Sequence, residues 1–282
     1  MTAGSLHDLR ERVLAAARAA RATGRALPDR PEVSPREAFT RAVDAFSRLI
    51  SALPAGAWRT PVLRDLDVQG LVGHLTGVED DVQRALDGDP DVAGADHVAS
   101  TQAVAESQAG RLPDDTWREW LAAAERTLAR VRTADLDAVV AVHGMRLPLR
   151  GLLVVRSFEL WTHEDDVRRV VGLPASVPDP AVLRLMTGLA ASLLPQGVAQ
   201  VTDELPSVDV HLVLTGAGGG TWDVPIGERV AAAPEVAIVA DAVRFCRLVA
   251  ARLGVDELGG HVTGEPGLAG AVLAGAAALA LD

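Results

Sequence analysis

Residues 149–171 read LRGLLVVRSFELWTHEDDVRRVV, an unbroken stretch closed by Gly172 and Pro174. Leu152, Val155, Val167 and Val170 fall on one helical face with Glu159 and His163. The stretch therefore predicts a long helix whose apolar stripe carries a carboxylate and an imidazole one turn apart. The same periodicity recurs upstream. Ser34 caps a helix that opens with Pro35 and Glu37 and ends before Pro54 and Gly56. Asp67 opens another that runs to Leu86, ahead of Gly88 and Pro90. Further helical stretches span 96–109 and 114–132, and residues 139–147 read as a short hairpin. Helices joined by short loops predict an up-down bundle. Residues 5–23 form a separate amphipathic stretch, followed by a linker punctuated by Pro28, Pro31 and Pro35.

After Pro178 the pattern changes. A helix over 180–195 leads to VDVHLVLT at 208–215, which alternates as a half-buried strand does. TWDVPI at 221–226 and VAIV at 236–239 read as further strands, followed by a helix over 241–253, a short strand at 261–263 and a terminal helix from Pro266. The fold class expected is mainly α with a smaller α+β domain. Its divisions are an N-terminal helical extension (1–35), a helical bundle (36–175) and a C-terminal α+β domain (176–282). The GAGGG run at 216–220 is expected to be a hairpin turn and not a phosphate cradle, because a strand follows it where a cradle needs a helix.

Composition narrows the function. Of 282 residues, 49% are hydrophobic and 23% charged, enough for a sizeable core. A formal net charge of -11 argues against nucleic acid or an anionic membrane as partner. The single cysteine, Cys246, excludes a disulfide framework and any multi-cysteine zinc site. Arginines flank it, which can activate a thiol, but a lone cysteine in an apolar helical stripe reads first as a small core residue. No run of about 18 consecutive apolar residues occurs, and the N-terminus lacks a signal peptide's apolar core. A soluble, cytoplasmic protein is expected. All 27 basic residues are Arg, and Lys, Asn and Tyr are absent, a bias that points to GC-rich coding.

Burying Glu159 without a partner is costly. Spacing alone favours a Glu–His hydrogen bond within the core, with Arg156 nearby, over two ligands of one metal ion. His74 shifts the balance. It lies in GLVGHLTG at 70–77, where each of three glycines costs roughly 1 kcal/mol relative to Ala inside a helix. Such a helix needs close approach of another element or room for a ligand. His74, Glu159 and His163 together supply an N, O, N set with an open fourth position, the pattern of catalytic zinc. His7, His97, His211 and His261 have no comparable setting; His143, just before the long helix, is placed to line the same cavity.

At these residues the sequence resembles the mycothiol-dependent maleylpyruvate isomerase family. The family pattern is a histidine in an early helix, then an R-x-x-E-x-W-x-H-x-x-D helix. Here these are His74 and Arg156, Glu159, Trp161, His163 and Asp166, with His74 and Glu159 85 positions apart. The resemblance covers residues 36–282 and is weaker in the second half, where FCRLVAAR at 245–252 and VTGEP at 262–266 fall in the expected order. It implies a DinB-like four-helix bundle followed by an SCP2-like α+β domain. It also implies zinc, or another divalent metal, on His74, Glu159 and His163. Mycothiol, the low-molecular-weight thiol of GC-rich actinobacteria, is the implied co-substrate. Bound at the open position as a thiolate, it would attack an electrophilic small molecule, giving S-transfer or cis-trans isomerisation. Arg252 is the candidate for gripping a substrate carboxylate or the thiol. Two rivals stand beside this: a metal-dependent hydrolase with Glu164 or Asp166 as base, and a non-catalytic binding protein on the same scaffold.

Overall fold

Ser34 accepts the backbone N–H of Glu37 and Pro35 sits in the first turn, so helix α1 (Pro35–Ser51) begins where its capping residues place it. The structure, a computed structural model, describes residues 32–228 and 235–280. The helix expected over 5–23 lies outside them. Asp67 caps α2 (Val68–Leu86) through the Gly70 N–H, and Asp96 caps α3 (His97–Ser107). Helices α4 (Pro113–Val131) and α5 (Leu149–Val170) follow. Phe39 and Phe46 of α1, Leu71 and Leu75 of α2, Trp120 of α4 and Leu153 of α5 are fully buried in one cluster. These four helices share a core, and α3 lies against α2.

Gly73 and Gly77 explain how closely. A Cβ at Gly73 would fall 2.9 Å from the Ala105 Cα, and one at Gly77 would fall 3.0 Å from the Thr101 Cβ. Of the two reasons for a glycine-rich helix, the close approach of another helix applies here.

Two hairpins connect the bundle: β1 (Pro61–Leu63) with β2 (Leu66–Asp67), and β3 (Val139–Val142) with β4 (Met145–Pro148). The second turns on His143 and Gly144, at φ 50° and 74°, the two-residue geometry that fits the twist of a hairpin. The first has strands too short to show alternation, and the sequence reading does not contain it.

The second layer holds α6 (Pro180–Val201), strands β5 (Val208–Thr215), β6 (Gly220–Ile226) and β7 (Glu235–Asp241), helix α7 (Ala242–Val249), strand β8 (His261–Thr263) and helix α8 (Pro266–Ala277). The sheet order is β6-β5-β7-β8, antiparallel except for the β5–β7 pair. Val208, Val210, Leu212 and Leu214 alternate inward on β5 beside Val236, Ile238 and Ala240 of β7. The glycine run is the turn between β5 and β6.

Helix α6 continues beyond Pro195, where the expected helix stops. Gly197 abuts Gly275 of α8 so closely that a Cβ would meet its carbonyl, and buried Leu194 and Val198 hold the last turn. By length and composition α6 is apolar enough to cross a membrane, the one such helix among the described residues; here Leu183, Met186, Leu194 and Val198 are buried in the core around the sheet. Helix α7 ends at Val249, short of the expected 253. Ala251 adopts φ 53°, and the Arg252 N–H reaches back 2.8 Å to the Arg247 carbonyl, a left-handed stop usually given to glycine.

Residues 33–282 form one compact unit. Its apolar interior separates into a bundle cluster and a sheet cluster, and Val154 and Trp161 of α5 belong to the second. Trp161 also donates its indole N–H to the Ser176 carbonyl at 3.2 Å. Trp161→Ala is expected to cost about 3–5 kcal/mol in urea unfolding; a loss below about 1 kcal/mol would show that the indole is not a core element.

Candidate metal centre

Helix α2 delivers His74, α3 delivers His97, and α5 delivers Glu159 and His163 to one buried point. The Glu159 Oε1 lies 3.8 Å from the His74 Nε2 and 3.4 Å from the His97 Nε2. Donor atoms of His74, His97 and Glu159 all lie within 4.8 Å of one another. The His163 ring stands nearly perpendicular to that of His74, with centroids 5.8 Å apart. His74 Nε2, Glu159 Oε1 and His163 Nε2 are buried with no hydrogen-bond partner among the described residues. Of the three residues expected from the sequence, His74 and Glu159 are brought within ligating reach of one another, with His97 as the third member of that set; His163 stands beside His74 with its inward nitrogen unpartnered.

The outer hydrogen bonds fix where each imidazole keeps its proton. Thr101 gives its hydroxyl hydrogen to the His97 carbonyl at 3.0 Å, so at 2.6 Å its oxygen accepts the N–H of His74 Nδ1. Asp166 accepts from His163 Nδ1 at 3.2 Å. Asp81 accepts from His143 Nε2 at 2.9 Å, which leaves the His143 Nδ1 to accept from the His97 Nδ1 at 3.1 Å. In these tautomers the inward Nε2 atoms of His74 and His97 present lone pairs toward the Glu159 Oε1. Three acceptors facing one another repel unless a cation lies between them. Such outer partners are what orients metal-ligating histidines.

The charges agree. Burial, helped by neighbouring His163, His97 and Arg64, pushes the His74 pKa down to about 2 against the pull of Glu159, so its imidazole is neutral and free to ligate. Burial raises the Glu159 pKa, but the Arg156 guanidinium outweighs it and holds the carboxyl well below its ordinary range. Arg156 is 1% exposed; it bonds the other Glu159 oxygen and reaches Glu79 Oε1 at 2.7 Å. Arg156 therefore neutralises Glu159 from behind and leaves Oε1 turned to the site.

Arg252, named from the sequence as a possible grip on substrate, sits one step out. Its Nε and Nη2 bond Asp166 at 2.9 and 2.7 Å, the carboxylate that holds His163. Burial opposes ionisation of Asp166, but the bonds and charges of His163 and Arg252 lower its pKa to about 2. Asp166 is therefore committed, and Glu164 is bonded to Arg168 at 2.7 Å. His143 does not line the cavity: the tight β3–β4 turn sets it behind His97. His97 itself has no comparable setting in the sequence reading, which sets it aside, and the structure places it beside His74 and Glu159. It begins a helix with little apolar contrast, and its nearness to His74 arises only from the α2–α3 contact at Gly73 and Gly77. The spacing of His97 to Thr101, a helical turn, is the one local trace.

The site opens into a cleft of about 110 Å³ between the bundle and the α+β layer, lined by His97, Glu159 and His163 and otherwise largely by apolar side chains. Cys246 does not line it and is fully buried in the sheet cluster. Burial, with Asp241, raises its thiol pKa above the ordinary value. Ellman's reagent is expected to find no reactive thiol in native protein and one in guanidinium. Rapid reaction in the native state would overturn the core assignment.

Residues 39–168 match the family model described as the mycothiol maleylpyruvate isomerase N-terminal domain. A crystal structure of the mycothiol-dependent maleylpyruvate isomerase has the same fold, with a TM-score of 0.55 at 15% identity, covering 83% of this chain and 92% of that one. A histidine-to-alanine mutant of that isomerase gives a TM-score of 0.53 at 15% identity and the same coverage. No curated protein matches the sequence.

Proposed function

Since residues 39–168 belong to the mycothiol maleylpyruvate isomerase N-terminal domain family, we propose that this chain is a mycothiol-dependent enzyme of the isomerase type. It acts on an electrophilic small molecule by S-transfer or thiol-assisted isomerisation. The observation that carries the proposal is the set of buried, unpartnered lone pairs on His74, Glu159 and His163, of which Glu159 and His163, with His97, line the cleft. These residues would hold one divalent metal, and an N, O, N set suits zinc. When bound, such an ion favours the thiolate of a thiol that reaches it, at a pH where a free thiol is mostly protonated.

The chain's own residues do the rest. Arg156 keeps Glu159 ionised. Asp166, gripped by Arg252, keeps the His163 proton on Nδ1, which makes Arg252 a positioning residue in this proposal. His143 and Asp81 do the same for His97, which we add as a further donor to the centre. His97→Ala is expected to weaken metal binding by more than the roughly 10–100-fold typical of losing an outer partner, in a competition titration with a chelator; unchanged affinity would remove it from the centre. The division near residues 173–179 and a cytoplasmic location belong to the same proposal. A hydrolase is less favoured, because Glu159 is the only carboxylate lining the cleft among the described residues.

Cobalt-substituted protein tests the thiol directly. Mycothiol should add a sulfur charge-transfer band to the spectrum. No spectral change at saturating mycothiol, with turnover in its absence, would sink the thiol reading and favour a hydrolase.

A further inference from the structure

The cleft that leads to the centre is built for a particular kind of molecule. Val155 and Phe158 of α5 and Met186, Leu189 and Leu193 of α6 form its walls, with Met145 at one side. Met145 and Met186 are the only methionines after Met1, and both are here. Methionine gives an adaptable, polarisable apolar surface. No Arg lines the cleft among the described residues, and the chain contains no Lys.

Apart from the inward atoms of Glu159 and His163 at the centre, its polar groups are already occupied. Thr162 donates its hydroxyl to the Phe158 carbonyl at 2.9 Å. The Nδ1 atoms of His97 and His163 are engaged with His143 and Asp166. Arg156 is bonded to Glu159 and Glu79 behind the centre, and Arg252 bonds Asp166. A dicarboxylate entering this cleft could set one charge at the metal centre. Its second would be buried against Phe158, Met186 and Leu189, in the same cleft as the Glu159 carboxylate, without a counter-ion, and burial of an unpaired charge is strongly unfavourable.

We propose that the second substrate is a neutral, apolar electrophile and not a dicarboxylate; this rests on the thiol-dependent reading above. With a neutral activated alkene, the sulfur bonds to one alkene carbon and the thiol proton ends on its neighbour. Rotation about the resulting single bond and loss of the same thiol and proton give the trans alkene. Stopping after addition gives the S-conjugate. Neither route needs an oxidant or a reductant.

Diethyl maleate and maleate share a carbon skeleton and differ by two charges, so they separate the alternatives. The first readout is displacement of the neutral fluorophore N-phenyl-1-naphthylamine from chelator-treated full-length protein, which does not depend on turnover. Diethyl maleate is expected to displace it at least about tenfold more effectively than maleate. The second is mycothiol-dependent conversion, with the uncatalysed rate subtracted, where kcat/KM should favour the diester by a similar factor. Leu193→Arg places a cation on the partly exposed wall and should narrow or reverse both preferences. Equal or better displacement by maleate from the wild-type protein overturns the proposal, whether or not the variant folds. Preference for the diester in binding, with no thiol-dependent conversion of either compound, upholds the apolar cleft and defeats the thiol-dependent reading.

Discussion

Arg156→Leu is expected to lower the unfolding free energy by about 3–5 kcal/mol at pH 7, a loss as large as that expected for Trp161→Ala. The guanidinium is buried between Glu79, which is 0% exposed, and Glu159, and it bonds a carboxylate oxygen of each. Removing it leaves two carboxylates in a low-dielectric interior with no compensating charge. The pH dependence carries a sign. In the wild-type protein the Glu159 pKa is depressed, so its contribution is present above the unfolded carboxyl pKa and is lost as pH falls through the folded value. Without Arg156, burial dominates and favours the protonated carboxyls. The gap between variant and wild type should therefore narrow as pH is lowered from 7 toward about 4. Adding Glu79→Leu should recover part of the loss, because one uncompensated charge goes with it. Urea titrations at several pH values test this. A deficit below about 1 kcal/mol that does not vary with pH would show that the ion cluster does not hold these helices together.

His74→Ala is expected to have the largest effect on activity. The substitution removes one of four proposed inward donors, and the loss of metal affinity should exceed the roughly 10–100-fold typical of losing an outer hydrogen-bond partner. Turnover with mycothiol should vanish, and so should the sulfur band of the cobalt protein. The fold should persist. Only the bond from Nδ1 to Thr101 is lost from the protein's own contacts, and Nε2 has no partner to lose. Loss of that hydrogen bond costs about 0.5–1.5 kcal/mol, together with the packing of the ring. Elemental analysis, unfolding curves and activity measured on one preparation separate the outcomes. Near-stoichiometric metal at wild-type affinity in the variant would exclude His74 as a ligand. A variant that fails to fold would make its role structural, and His163→Ala then reads the same donor set from the other side.

Much of the bundle was legible in the sequence, and for local reasons. Ser34, Asp67 and Asp96 cap α1, α2 and α3 directly, and the apolar stripe of α5 repeats every turn. The Glu159–His163 pair was legible because helical spacing alone places two side chains on one face. His74 stood out through the glycines around it. The strands of the sheet were legible because their alternation is strict, as in Val208 to Leu214.

What the tertiary structure decided is everything that depends on helices meeting. His97 enters the centre only because Gly73 and Gly77 let α3 settle onto α2. Arg252 is aimed at Asp166, 86 positions away, by the left-handed turn at Ala251. Pro195 is carried within α6 because Gly197 meets Gly275, a contact between segments that periodicity cannot connect. Periodicity along the chain reports which face of an element is apolar. A site is a convergence of atoms from several such faces, and the packing of side chains distant in sequence sets which atoms arrive within bonding distance of one another.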